Sequence, residues 1–309
     1  PEELAITRNT TESLMNAELG LNLKRGDEVI TTEQDYARMI WAYQQRQRRD
    51  GVVLKMIPFP NPPRSLDDLV DLFERAITPR TQVVHFCHVT HYTGQIFPVK
   101  KICQMARSRG VPTIIVDGAH SFAQLPFKVS DFDCDYYGTS LHKWLCAPIG
   151  TGFLYVKKER LPRLWPLMAA PGGMDDNIRK LEQIGTNPAA LKAGIAEALT
   201  FHEGIGVERK SARLRYLKDR WARRLAQNPR VKLLTSLDPE QSCGLATFTV
   251  EGLDSGKLVD FLWQKYGIIV VTMAAQGWVG VRVVPNVYTT VDEIDAFSSA
   301  VEGALRSGV

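Results

Sequence analysis

Asp117 and Lys143 are the two residues of this chain whose settings most plainly allow chemistry. An apolar, β-branched run, Ile114-Ile115-Val116, ends in Asp117 and is followed at once by Gly118 and a helix-like segment. A second strand-like run, Asp135-Tyr136-Tyr137-Gly138, leads into Ser140-Leu141-His142-Lys143. A third, residues 152–156, follows a turn at Pro148-Ile149-Gly150. An acid at one strand end and a lysine just past the next suit a site on one rim of a sheet. Pyridoxal phosphate (PLP) chemistry needs such a pair: an amine to form an imine, and a carboxylate to keep a pyridine nitrogen protonated. A buried strand terminus beside an unrelated surface lysine would read the same way, and the pair alone favours that plainer reading.

The flanking residues change the balance. Val116-Asp117-Gly118-Ala119-His120-Ser121, followed by SLHKWLCAPIGTGFLYV over residues 140–156, resembles the aminotransferase class V family of PLP enzymes. Within it the pattern is most similar to the branch of isopenicillin N epimerase and its relatives, with the cysteine desulfurases as cousins. The resemblance runs over almost the whole chain. It implies an α/β protein of PLP fold type I, with a mostly parallel sheet in a large cofactor-binding domain (1–205) and a smaller α+β C-terminal domain (206–309). It also implies that Asp117 meets the pyridine nitrogen, that Lys143 carries the cofactor, and that Ser140 and His142 help hold the phosphate.

Other motifs fit the same frame. After a short strand at 4–7, Asn9 reads as a helix cap and Glu12 as the partner that completes a capping box. A helix N-terminus offers free N–H groups and a positive dipole end to a phosphate. The resemblance gives Thr10 and Thr11 that grip; a plain helix start explains the same residues. Tyr36, beyond a strand at 27–32, matches the aromatic or histidine that stacks on the ring in relatives. The strand at 82–87 runs into His88-Val89-Thr90-His91-Tyr92-Thr93-Gly94. His91 stands where desulfurases often have an asparagine near the ring's phenolic oxygen. A second ionisable group there would suit proton transfer, and a hydrogen-bonded structural histidine accounts for it equally. His120 occupies the place of a desulfurase glutamine, near the ring oxygen and imine. Gly185-Thr186-Asn187-Pro188 resembles a motif whose threonine reaches the phosphate of the neighbouring subunit, which implies a homodimer. A helix capped by Asn187 is the plain alternative. Arg282, in an alternating strand, matches the arginine that pairs with a substrate α-carboxylate through its planar fork.

Strands alternating with helices predict a mostly parallel sheet with right-handed crossovers, and sites at the carboxyl ends of its strands. Helices are expected at 39–49, 66–76, 99–110, 189–202, 207–227, 258–266 and 291–305. Later strands are expected at 231–234, 246–250 and 268–271, and a Pro- and Gly-rich loop at 161–176.

The chain of 309 residues, 44% hydrophobic and 23% charged, has room for two cores. Its net charge of +4 is scattered, without the dense basic stripe and interleaved aromatics of a nucleic-acid binder. No apolar run reaches membrane-spanning length. Cys87, Cys103, Cys134, Cys146 and Cys243 are odd in number and form no C-x-x-C pair. That argues against a disulfide framework or a zinc site and for a reducing compartment, the cytoplasm. Because the cofactor motif follows almost at once on Pro1, an N-terminal truncation is expected, and any targeting signal would precede it.

The expected activity is PLP-dependent chemistry at the Cα of an amino-acid substrate, with Lys143 as base once freed. Transamination, epimerisation and β-elimination differ in what happens to the resulting carbanion. Desulfurase activity is not expected, because the family's nucleophilic cysteine lies on a loop before the arginine strand. Residues 272–280 here read TMAAQGWVG. A non-catalytic binding or dimerisation module of the same fold is the reading from another class.

Overall fold

The computed structural model describes residues 1–275 and 277–308. Two compact units emerge: Pro1–Phe59, Ser65–Val89 and Phe97–Ile205 form one, and Pro60–Arg64, Thr90–Ile96 and the chain from Gly206 onward form the other.

The first unit alternates strand and helix from its first residues: β1 (Leu4–Thr7), α1 (Thr10–Gly20), β2 (Glu28–Thr32), α2 (Ala37–Asp50), β3 (Val53–Ile57) and α3 (Leu66–Ala76). It continues with β4 (Thr81–Cys87), α4 (Val99–Ser108), β5 (Thr113–Asp117), β6 (Tyr136–Ser140), β7 (Gly152–Val156) and α5 (Ala189–Ile205). The sheet has seven strands in the order β1-β7-β6-β5-β4-β2-β3. β7 runs antiparallel to both β1 and β6, and the remaining pairs are parallel. The carboxyl ends of β1, β2, β4, β5 and β6 therefore share one rim, where sheets of this kind bind ligands.

Buried Val29, Val83, Ile115, Tyr136 and Leu154 of the sheet pack with Leu14 and Ala17 of α1 and Met39 and Tyr43 of α2. Each such aliphatic burial contributes about 1.5–3 kcal/mol. Two glycines set the close approaches. A Cβ on Gly118 would lie 2.0 Å from the Tyr137 ring. One on Gly152 would lie 2.6 Å from the Thr139 carbonyl and 2.9 Å from Asn9 Cα, so only glycine lets the start of α1 descend onto β6 and β7.

Several expectations need correction. The segment after Asp117 is a run of turns, with Ala123 at φ 60°, and not a helix. β3 is a strand the sequence pattern hid, since Lys55 interrupts its apolar run; Lys55 Nζ reaches Glu28 of β2 at 2.6 Å. The capping box of α1 is shifted by one residue. Asn9 accepts from the Glu12 N–H, but the Glu12 carboxylate takes the Arg8 N–H at 2.6 Å.

The second unit contains α6 (Val207–Leu225), β8 (Val231–Leu233), β9 (Ala246–Val250), α7 (Ser255–Tyr266), β10 (Val271–Ala275), β11 (Trp278–Val283) and α8 (Val291–Ser307). Its antiparallel sheet has the order β10-β11-β9-β8. Trp221 of α6 lies against Phe248 and Phe297, with ring centroids 5.5 and 5.7 Å away. The strand expected at 268–271 begins only at Val271, because the chain leaves α7 through Gly267 at φ 65° before pairing with β11. Of the loop expected at 272–280, residues 272–275 and 278–280 instead pair as β10 and β11, and Gln276 lies outside the described residues. Among the described residues no helix is long and apolar enough to cross a membrane.

Candidate active site

The start of α1 and the end of β6 are tied together. The Thr10 N–H donates to Ser140 Oγ at 2.9 Å, and the two hydroxyls are 2.7 Å apart. Asn9 takes the N–H groups of Glu12, through its side chain, and Ser13, through its carbonyl. Of the first four N–H groups, that of Thr11 alone has no partner among the described residues. It points a helix end at the sheet rim with two threonine hydroxyls beside it. His142 donates its Nδ1–H to the Thr151 carbonyl at 3.1 Å, so only Nε2 remains for another partner.

Asp117 closes β5, where its backbone pairs with Cys87 and Gly138 on either side. Its carboxyl is buried and accepts the Ala119 N–H at 2.8 Å. Burial pushes this carboxyl up, against the opposing pull of Lys143. Lys143 is half-buried in the 141–151 connection that reverses the chain from β6 into β7. Its Nζ lies 3.3 Å from His120 Nε2, and the Trp144 indole N–H lies 3.4 Å from His120 Nδ1. Thr10, Ser140, Asp117, His120 and Lys143 therefore belong to one rim of one unit.

A PLP molecule fits this donor set. A free helix N–H and clustered hydroxyls suit a phosphate. A buried carboxyl raised by desolvation gains from an adjacent ring N–H cation.

The other expected residues are placed as follows. Tyr36 sits at the head of α2, partly exposed, with Arg38 Nε 3.2 Å from its hydroxyl. Thr186 is exposed just before α5, and the Asn187 amide turns back to the Gly185 carbonyl at 3.0 Å. Arg282 and His91 meet in the second unit, where Arg282 Nη1 donates to the His91 carbonyl at 2.7 Å.

Sequence reasoning missed Trp144, whose indole turns the His120 ring, although it directly follows Lys143. It also passed over His85, Glu18 and Tyr43, which cluster inside the same unit. The signal was a lone histidine within an otherwise apolar run on β4.

The aminotransferase class-V family matches residues 1–297. Isopenicillin N epimerase of Streptomyces clavuligerus is 31% identical over 98% of this chain and 80% of its own length. A cysteine desulfurase of Haloferax volcanii is 27% identical over 98% and 74%. Among solved structures, a variant of C-DES with glycine covalently linked to its PLP cofactor superposes with a TM-score of 0.85 at 25% identity, covering 97% of this chain and 80% of that one. The cysteine desulfurase of Thermococcus onnurineus shares the fold, with a TM-score of 0.86 at 23% identity over 99% and 80%.

Proposed function

The chain belongs to the aminotransferase class-V family, and on that premise we propose a PLP-dependent enzyme that works at the Cα of an amino acid, as an epimerase or aminotransferase. The observation that carries this reading is the convergence of Lys143, Asp117 and the Thr10–Ser140 clip on one rim. When bound, PLP supplies an electron sink for charge developing at Cα.

Thr11, with the hydroxyls of Thr10 and Ser140, would hold the phosphate, His142 would face it through Nε2, and Asp117 would hold the ring nitrogen's proton. Tyr36 would cover the ring face. Trp144 can only donate, so His120 Nδ1 accepts and the imidazole proton sits on Nε2, facing Lys143. Once Lys143 is uncharged, its Nζ can accept there with its lone pair, the same pair that attacks a carbonyl or takes an α-proton. Arg282 supplies a half-buried guanidinium for a substrate carboxylate, and His91 a second ionisable group.

Desulfurase chemistry fits less well. Cys87, Cys103, Cys134 and Cys243 are buried, and burial pushes each thiol up, Cys134 to about 12. Cys146 is exposed but follows Lys143 by three residues, and neither β10 nor β11 contains a cysteine. Five free cysteines fit a reducing compartment such as the cytoplasm.

The active unit is a homodimer in this reading. Ala198 is the buried residue of α5, while Leu199 and Phe201 are 39% and 51% exposed. An apolar helix left open in this way supports a contact with a second copy, and Thr186 shortly precedes it. Sedimentation showing an active monomer would reject the dimer.

A long-wavelength imine absorbance that borohydride abolishes, with the label on Lys143, tests the cofactor. Chiral analysis and keto-acid detection over a panel of L-amino acids then test the reaction. Inverted product assigns epimerisation, keto acid assigns transamination, and sulfide release from cysteine would reject this assignment.

A further inference from the structure

Glu18 of α1, Tyr43 of α2 and His85 of β4 are each fully buried, and all converge on one atom. Glu18 Oε1 and the Tyr43 hydroxyl both lie 3.1 Å from His85 Nδ1. The far nitrogen, Nε2, has no hydrogen-bond partner among the described residues. A glutamate sealed from water with no cation but an imidazole beside it cannot hold its charge alone. One proton must serve both groups. The carboxyl, pushed up by burial to about 7, and the imidazole, raised through Glu18, both follow from that sharing.

The pair's place on the sheet gives it a task. His85 pairs with Ile115 in register, and Asp117 lies two residues further along the same strand. Side chains two apart share a face, so His85 and Asp117 point to the same side as diagonal neighbours, one strand spacing of about 4.8 Å across and roughly 6.6 Å along. Glu18 arrives from the helix whose first turn carries Thr10 and Thr11, just over two turns along. The other charged or titratable groups facing the pair are few. Asp35, after β2, accepts from the Thr31 hydroxyl, the Thr32 N–H and the Cys87 N–H. Arg46 of α2 spends Nη1 on the carbonyls of Glu18 and Leu21, and Nε on Asp50. Cys87 lies on the same strand as His85, and Lys143 acts on Asp117 from the rim.

We infer that Glu18 and His85 form a proton-sharing pair that positions Asp117, the imidazolium holding that carboxyl anionic and ready for a ring nitrogen. The ring rests on the PLP reading above; the pair itself does not. Glu18 and His85 touch neither cofactor nor substrate in this role and act only through Asp117. Tyr43, the third group on Nδ1, keeps the imidazole from rotating away.

Two measurements on the cofactor-free protein decide it: 15N NMR of the imidazoles and 13C NMR of the Asp117 carboxyl across pH. The His85 ring of the wild type should stay doubly protonated above the ordinary imidazole range and lose that proton earlier in Glu18→Gln. In His85→Phe, the Asp117 midpoint should move up by about one pH unit or more. His85→Gln should do the same and serves if the phenylalanine variant does not fold. A His85 ring that is neutral at pH 7 in the wild type, or an Asp117 midpoint unmoved in both variants, overturns the inference. With PLP added, affinity in His85→Gln should fall towards acid pH more steeply than in the wild type. Failure of the wild type to take up PLP would instead overturn the cofactor reading, while the carboxyl titration still decides the pair.

Discussion

Thr10 meets Ser140 twice, by its backbone N–H at 2.9 Å and by its hydroxyl at 2.7 Å, although the two residues stand 130 positions apart. This clip holds the first turn of α1 over the end of β6, so that helix end and Lys143 loop keep a fixed spacing. Ser140→Ala leaves the Thr10 N–H without its acceptor and should cost about 1–2 kcal/mol of stability. PLP affinity should fall about 10–100-fold through loss of the hydroxyl and of the spacing. Titration of the variant with PLP, alongside its melting curve, checks both. Wild-type affinity would remove Ser140 from the phosphate site.

Trp144 should matter for proton position more than for cofactor retention. Trp144→Phe keeps the buried ring but deletes the indole N–H that fixes the His120 tautomer. His120 then no longer has a fixed tautomer to aim a proton at Lys143, so turnover should drop about tenfold or more, with a displaced pH profile. PLP affinity should change little. An unaltered pH profile would make Trp144 a packing residue.

How much of this was legible in the sequence divides by physical cause. The rim residues announced themselves because an acid, a lysine and paired threonines each end or follow an apolar run, and strand ends are where chains leave a core. α3, β1 and β9 were readable to the residue from periodicity and caps. β3 was not, because its Lys55 is satisfied by Glu28 across the sheet, a contact no local pattern reveals. The residues at 268–270 misled for the opposite reason. They are apolar enough for a strand, yet no strand among the described residues meets them, and Ile269 is 77% exposed. The Glu18–His85 contact joins a helix and a strand distant in sequence, so it needed the fold to be seen.

His88 gives the fold an acid-sensitive point. Its ring lies edge-on to Phe127 and Phe132, at 4.9 and 5.1 Å, and burial pushes its imidazole down to about 3. An unfolded histidine titrates near 6.5, so between pH 6.5 and about 3 the unfolded chain binds the extra proton and the folded one does not. Stability from this group is therefore complete above 6.5 and is lost as pH falls, on the order of 5 kcal/mol in all. His88→Phe suits the aromatic slot and should lose less stability than the wild type between pH 7 and pH 4.5, by urea unfolding at each pH. Comparing the two proteins cancels the opposite drift expected from Glu18. Equal losses would show that His88 does not set the acid limb.

Arg282 and His91 carry the last and sharpest prediction, because one hydrogen bond joins them. Burial pushes the Arg282 guanidinium down, as expected of a cation with no carboxylate beside it among the described residues, and a substrate carboxylate would relieve that. Removing one partner of such a buried pair costs about 2–5 kcal/mol, so Arg282→Ala should raise KM for amino acids roughly 30-fold or more. The imine absorbance should survive. Since Nη1 also holds the His91 carbonyl, Arg282→Lys is the needed control: it keeps the charge, loses the planar fork, and should recover part of the KM. His91→Ala then separates the two reactions. An epimerase needs an acid on the face opposite Lys143, and a transaminase does not. If His91 is that acid, deuterium from solvent should still enter at Cα in the variant while inversion stops. Unchanged rate and stereochemistry would make His91 a structural residue, held in place by its own carbonyl on Arg282.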